Sequence, residues 1–172
     1  AMAQQGRLRR EDRVVLRKSD IAVFHSPISR QIGDNGFETS VADLLKRSMT
    51  QSDNTANDFL LRKVGGSQAV RQMIADKGLG AIRFGPGERL LQAGTAGLEW
   101  KPEYSFGRAF QAARAQLPAE TRRKAMDRYI ASPPDGAAPL AIARALLRLK
   151  RGELLSRRST AHLLGLMESS ET

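Results

Sequence analysis

Cysteine is absent from this 172-residue chain. That excludes disulfides, thiol catalysis and cysteine metal sites, and it fits a reducing or an oxidising compartment equally. Histidine is nearly absent. His25 and His162 are the only two; they lie far apart without ligand spacing, so neither a metal site nor a cofactor is expected. Aromatics are sparse, with one Trp, two Tyr and six Phe, which leaves Leu, Ala, Ile, Val and Met to fill the interior. No run of about 18 apolar residues, the length a spanning helix needs, occurs. Ala1 to Gln5 is short, uncharged and without an apolar stretch, and reads as a tail or cloning scar rather than a signal peptide.

Acidic residues are outnumbered, 18 against 28 Lys and Arg, for a net charge of +10. An excess of this sign suits an anionic partner: nucleic acid, an anionic lipid surface or an acidic substrate. The basic residues are scattered through expected helices (Arg62, Lys63, Arg71, Arg114, Arg122, Arg123, Arg144, Arg148) and are not gathered with aromatics. A solvated surface is therefore preferred and nucleic acid is disfavoured. A non-catalytic basic helical module for an anionic partner stands as the alternative functional reading.

The length fits a single domain over residues 6–172, with an apolar content sufficient for a core. Arg13 to Leu16 reads as a short strand or extended entry, Ser19-Asp20 as the cap of one helical turn through Phe24, and Gly33-Asp34-Asn35-Gly36 as a turn. Helical spacing then dominates. Val41, Leu44, Leu45 and Met49 share one face behind a cap at Thr39 or Ser40. Ala56, Phe59, Leu60 and Val64 share another, ended by Gly65-Gly66. Ser67 caps a third helix stopped by Gly78. Residues 79–102 are Gly-rich and poorly periodic, and read as a long Ω-like loop. Residues 103–135 read as a helical insertion holding helices marked by Phe106, Phe110 and Ala113, and by Ala125, Met126, Tyr129 and Ile130. A sixth helix carries Leu140, Ala143, Leu146 and Leu147. Ser156 caps a seventh with Leu163, Leu164 and Met167. With about seven helices and no set of period-2 strands, the fold class is all-α.

Between the first two helices lies Ser52-Asp53-Asn54. A hydroxyl and a carboxamide two residues apart at a helix junction can point into one cleft, and all three residue types also favour a helix N-cap. Their surroundings decide between chemistry and capping. Ser52-Asp53-Asn54-Thr55-Ala56-Asn57, followed by Leu60-Leu61 and Gly65-Gly66, resembles the Ser-Asp-Asn motif and following helix of class A β-lactamases and penicillin-binding proteins. Val23-Phe24-His25-Ser26-Pro27 resembles the cleft-edge segment of those enzymes. Gly152-Glu153-Leu154-Leu155-Ser156 with Leu163 and Met167-Glu168 resembles the last helix pair of their helical lobe.

The resemblance implies the helical lobe of a serine hydrolase that cleaves β-lactams or peptidoglycan-like amides through an acyl-enzyme. Ser52 would shuttle protons beside a catalytic lysine. Asn54 would bond the substrate amide, and His25 would flank the substrate. Asp53 would serve as a structural cap. At the place of the family's Ω-loop glutamate stands Glu88, with Gln92 one helical turn on where the family has asparagine. A carboxylate and a carboxamide so placed can hold a water, and the carboxylate can take its proton.

Two parts of the family pattern are missing. No Ser or Thr upstream of the triplet has Lys three residues later, and no Lys-Thr-Gly or Lys-Ser-Gly follows. By resemblance, then, the nucleophile helix and the α/β lobe are absent partners, and these residues alone are expected to be inactive. An apolar groove left by the missing helix is expected to drive self-association near Phe59, Leu60 and the Ser52 edge. The parent enzyme is expected to be periplasmic or secreted.

Overall fold

The computed structural model describes residues 8–170; the expected tail at residues 1–5 lies outside them. The chain enters through β1 (Arg13–Leu16), which pairs antiparallel with β2 (Phe37–Ser40), Leu16 opposite Phe37. The Gly33–Gly36 turn leads into β2, with Gly36 N–H donating to the Gly33 carbonyl. Gly36 has φ +87, and a Cβ there would lie 2.7 Å from the Leu16 carbonyl oxygen, so this turn requires glycine.

After this ribbon the described chain is helical. α1 (Val41–Thr50) starts where the Ser40 hydroxyl accepts from Asp43 N–H. It is followed by α2 (Asn54–Lys63) and α3 (Gly66–Asp76). The third helix begins one residue before Ser67, because Gly65 at φ +100 turns the chain sharply enough to start it at once. α5 (Ala109–Gln116), α6 (Ala119–Ala131), α7 (Pro139–Lys150) and α8 (Arg157–Glu168) close the order, α8 capped by the Ser156 hydroxyl. Between α3 and α5, inside the stretch read as loop, lies a further helix, α4 (Glu88–Ala96). Among the described residues eight α-helices therefore stand where about seven were expected. Ser19-Asp20 starts no turn through Phe24. A 3-10 turn stops at Asp20, and Ile21, Ala22 and Val23 run on as buried chain.

Two apolar clusters hold the lobe. Leu16, Ile28, Ile32, Val41, Leu44, Ala56, Phe59 and Leu60 pack the ribbon, the 3-10 turn Pro27–Gln31, α1 and α2 together. Leu16, Ile28 and Leu44 are wholly buried, each stabilising the fold by about 1.5–3 kcal/mol. Val23, Ala93, Ala96, Tyr104 and Phe110 form the second cluster, where α4 and α5 meet the cleft-edge segment. Phe59 and Leu60 are thus buried rather than open in a groove, because α2 is enclosed by its neighbours. The exposed apolar surface lies elsewhere: Leu140, Ile142, Leu146 and Leu147 make α7 the most open apolar helix, with only Leu149 buried along it.

Candidate active site

The Ser-Asp-Asn junction and the cleft-edge segment are joined by six hydrogen bonds. Ala22 N–H donates to Thr55 Oγ1 (2.8 Å), Asn54 Nδ2 to the Val23 carbonyl (3.1 Å), Asn54 N–H to the His25 carbonyl (3.0 Å), His25 Nε2 to the Gln51 carbonyl (2.8 Å) and Ile28 N–H to Asp53 Oδ2 (2.7 Å), while the Ser26 and Thr55 hydroxyls are hydrogen-bonded to each other at 2.6 Å. Asp53 and Thr55 have no solvent exposure. Asp53 is the N-cap of α2: its Oδ1 accepts from Ala56 N–H while Oδ2 reaches across to Ile28. One buried carboxylate therefore starts the helix and anchors the facing segment.

This arrangement leaves His25, Ser52 and Asn54 around one edge. A carbonyl can only accept, so Nε2 of His25 carries a proton in its bond to Gln51, which orients the ring. Ser52 is exposed, and its hydroxyl makes no hydrogen bond among the described residues. Among the described residues two non-glycines have a left-handed backbone, Ser52 at φ 51 and Phe24 at φ 65. Both border this junction. Holding a side chain there costs on the order of 1–2 kcal/mol at each position. Strain confined to one edge of a fold is characteristic of a working site, where surrounding bonds over-determine the backbone.

Glu88 and Gln92 lie on α4. Gln92 Nε2 donates to Glu88 Oε2 at 3.3 Å, a long bond that places the amide and the carboxylate on one side of the helix. Asp58 on α2, absent from the sequence-based site, holds this helix in place. Its two oxygens accept from Glu88 N–H (2.7 Å) and Arg89 N–H (3.1 Å). Gly87, the residue before α4, has no side chain with which to cap it, so Asp58 supplies the cap from another helix. Gly87 must stay small: a Cβ there would meet Leu61 Cδ2 at 2.9 Å and Asp58 Oδ1 at 3.0 Å.

Arg89 completes the attachment. Its guanidinium is largely buried, donates to the Ser19 and Asp20 carbonyls, lies over the Trp100 ring at 5.8 Å and approaches Asp58 with Nε at 3.8 Å. Burial is the main force lowering its pKa, aided by Arg62 and opposed by Asp58 and Asp20. Arginine remains charged under such a shift. Asp58 therefore binds the start of α4 twice, through backbone amides and through the charge of Arg89.

The structure thus brings His25 and Asn54 together with the Ser52 turn, and pairs Glu88 with Gln92. The two groups share neighbours: Asp58 follows Asn54 by one turn of α2 and holds α4, and Val23, whose carbonyl takes the Asn54 amide, packs with Ala93 and Ala96 of α4. Thr55, Asp58, Arg89 and Phe24 were not singled out in the sequence. Their importance lies in long-range contacts that no local pattern announces.

The chain matches the beta-lactamase enzyme family over residues 1–172. Among curated proteins it is 30% identical over 76 residues to beta-lactamase PSE-4 of Pseudomonas aeruginosa, covering 44% of this chain and 25% of that protein. It is 28% identical over 67 residues to beta-lactamase BRO-1 of Moraxella catarrhalis, covering 39% and 21%. Among solved structures, a beta-lactamase from Chitinophaga pinensis superposes with a TM-score of 0.71 at 21% identity, covering 99% of this chain and 51% of that one. A PBP-A variant, solved as an acyl-enzyme complex with penicillin G, superposes with a TM-score of 0.63 at 20% identity, covering 99% and 48%. These structures establish the fold, and the chain spans about half the length of each. The match over every residue makes the chain a member of the beta-lactamase enzyme family.

Proposed function

We propose that these helices form one wall of the active site of a serine hydrolase that opens β-lactams or related peptidoglycan-like amides through an acyl-enzyme. The observation that carries this reading is the junction itself, where strained, hydrogen-bonded backbone presents Ser52, Asn54 and His25 beside a helix bearing Glu88 and Gln92. In this reading Ser52 relays a proton between the catalytic lysine and the leaving nitrogen. Asn54 orients the substrate amide, and His25 borders the cleft. Glu88 takes a proton from the water that attacks the acyl-enzyme, and Gln92 holds that water in place of the direct bond it now makes to Glu88.

The nucleophilic serine, its lysine and the Lys-Thr-Gly strand are not among these 172 residues. We assign them to a nucleophile helix and an α/β lobe that work with this lobe in a periplasmic or secreted enzyme. The open apolar face of α7 is available to that lobe, or to a second copy of this chain when the lobe is missing.

The test is mass spectrometry of the protein after exposure to penicillin G. The 172-residue chain alone should form no adduct and turn over no chromogenic β-lactam. The same lobe joined to Ser-x-x-Lys and Lys-Thr-Gly segments should acylate, and Glu88→Gln in that protein should make the adduct persist. Steady turnover by the 172 residues alone, or deacylation unaffected by Glu88→Gln, would overturn the assignment.

A further inference from the structure

Beside Gln92 opens a cavity of about 350 Å³, within the size range of small-molecule pockets. Its walls come from four elements: Phe24 of the cleft-edge segment, Gln92 of α4, Phe110 and Arg114 of α5, and Arg122 and Met126 of α6. The floor is apolar. Phe24 and Phe110 meet edge to face at 4.9 Å, which holds the strained Phe24 with half its surface open to solvent, and Met126 is similarly open. The rim is cationic. No acidic side chain lines the cavity, and among the described residues neither Arg114 nor Arg122 has an ion-pair partner.

We propose that this cavity is a subsite for an apolar substituent ending in a carboxylate, carried on the acyl side of the amide that the site cleaves. Aromatic and thioether walls bury the apolar part. Two free guanidinium groups suit a carboxylate, which each can grip with paired N–H donors. The acyl side follows from Gln92, which lines the cavity and also bonds Glu88. This step rests on the proposed role of Glu88: when its water attacks, the amine has already left, so the group beside that water is the acyl group. Helices α5 and α6 thereby set substrate preference.

The test separates this subsite from the catalytic reading. The 172-residue chain is titrated with 3-phenylpropanoate and with its neutral amide, observing by NMR the Met126 methyl and the backbone amide of Thr95, which also lines the cavity. The acid should shift both signals and bind at least tenfold more tightly than the amide. Arg114→Gln and Arg122→Gln should each weaken the acid at least fivefold, while Arg30→Gln, on an exposed turn away from the cavity, should not. No Met126 shift, or equal binding of acid and amide, overturns the subsite whether or not the complete enzyme hydrolyses amides. In a protein that turns over amides, Arg114→Gln should lower kcat/KM about tenfold for a substrate with a carboxylate-bearing acyl group and leave a neutral analogue unchanged. Equal losses for both would also overturn it.

Discussion

Asp58→Asn changes almost no volume and isolates the electrostatic attachment of α4. The carboxylate accepts from two amides, Glu88 N–H at 2.7 Å and Arg89 N–H at 3.1 Å, and faces the buried Arg89 charge. A carboxamide has one accepting oxygen, so one of the two amides must face an NH₂ group that can only donate. The variant loses one charge-assisted bond, worth about 1.5–3 kcal/mol. It also loses a counter-charge to a guanidinium whose burial already opposes ionisation. The expected destabilisation is roughly 2–4 kcal/mol, or on the order of 4–16 °C in Tm for a chain of this size. Urea unfolding followed by circular dichroism gives the free energy, and hydrogen exchange at the Glu88 and Arg89 amides reads the local effect. Those two amides should lose protection even where the rest of the lobe stays folded. A loss below about 0.5 kcal/mol, with both amides still protected, would refute the argument that Asp58 is the cap of α4.

Three further outcomes follow from the same geometry. Gly87→Ala should cost about 1–3 kcal/mol, because φ +98 and the contact with Leu61 leave no room for Cβ; a Tm scan reads it. Ser52→Gly relieves the left-handed strain at φ 51 and should hold or raise stability by up to about 1 kcal/mol while abolishing any turnover by the complete enzyme. Acid should weaken the ribbon end first. The Arg9 backbone amide and then its side chain hold the Asp12 pKa below 3.8, and a side-chain bond from Lys18 does the same for Asp34. The folded pKa is lowered in both, so their contribution is present above the unfolded value and is lost as pH falls through the folded one. Proton exchange near residues 9–36 should rise below about pH 4, and neutralising both with Asp12→Asn and Asp34→Asn should flatten that dependence.

How far the sequence carried the reading depended on whether a signal was local. α1, α2 and α8 were legible because their caps lie next to them: Ser40, Asp53 and Ser156 each bond an amide three residues on. α4 was illegible because its cap is Asp58 on another helix, while Gly87, Gly94 and Gly97 make its own stretch look like loop. The turn expected through Phe24 failed for a related reason. Val23 and His25 give their carbonyls to Asn54, so the backbone there is committed to α2 rather than to a helix of its own. Ser52, Asn54, Glu88 and Gln92 were named by resemblance to the family's Ser-Asp-Asn motif and Ω-loop glutamate. The residues that aim them, Thr55, Asp58 and Arg89, are defined only by what they touch.

The bonds between the cleft-edge segment and α2 run residue to residue, with Ala22, Val23, His25, Ser26 and Ile28 each matched to a fixed partner. Such matching cannot slide. One residue inserted between Ala22 and Ile28 would misalign every downstream pairing, whereas one inserted at the exposed Asp34-Asn35 tip would lengthen a turn and disturb none of them. The lobe therefore places a stretch that forbids length change beside one that absorbs it. Insertion scanning across residues 20–40 should yield a sharp boundary between loss of fold and indifference.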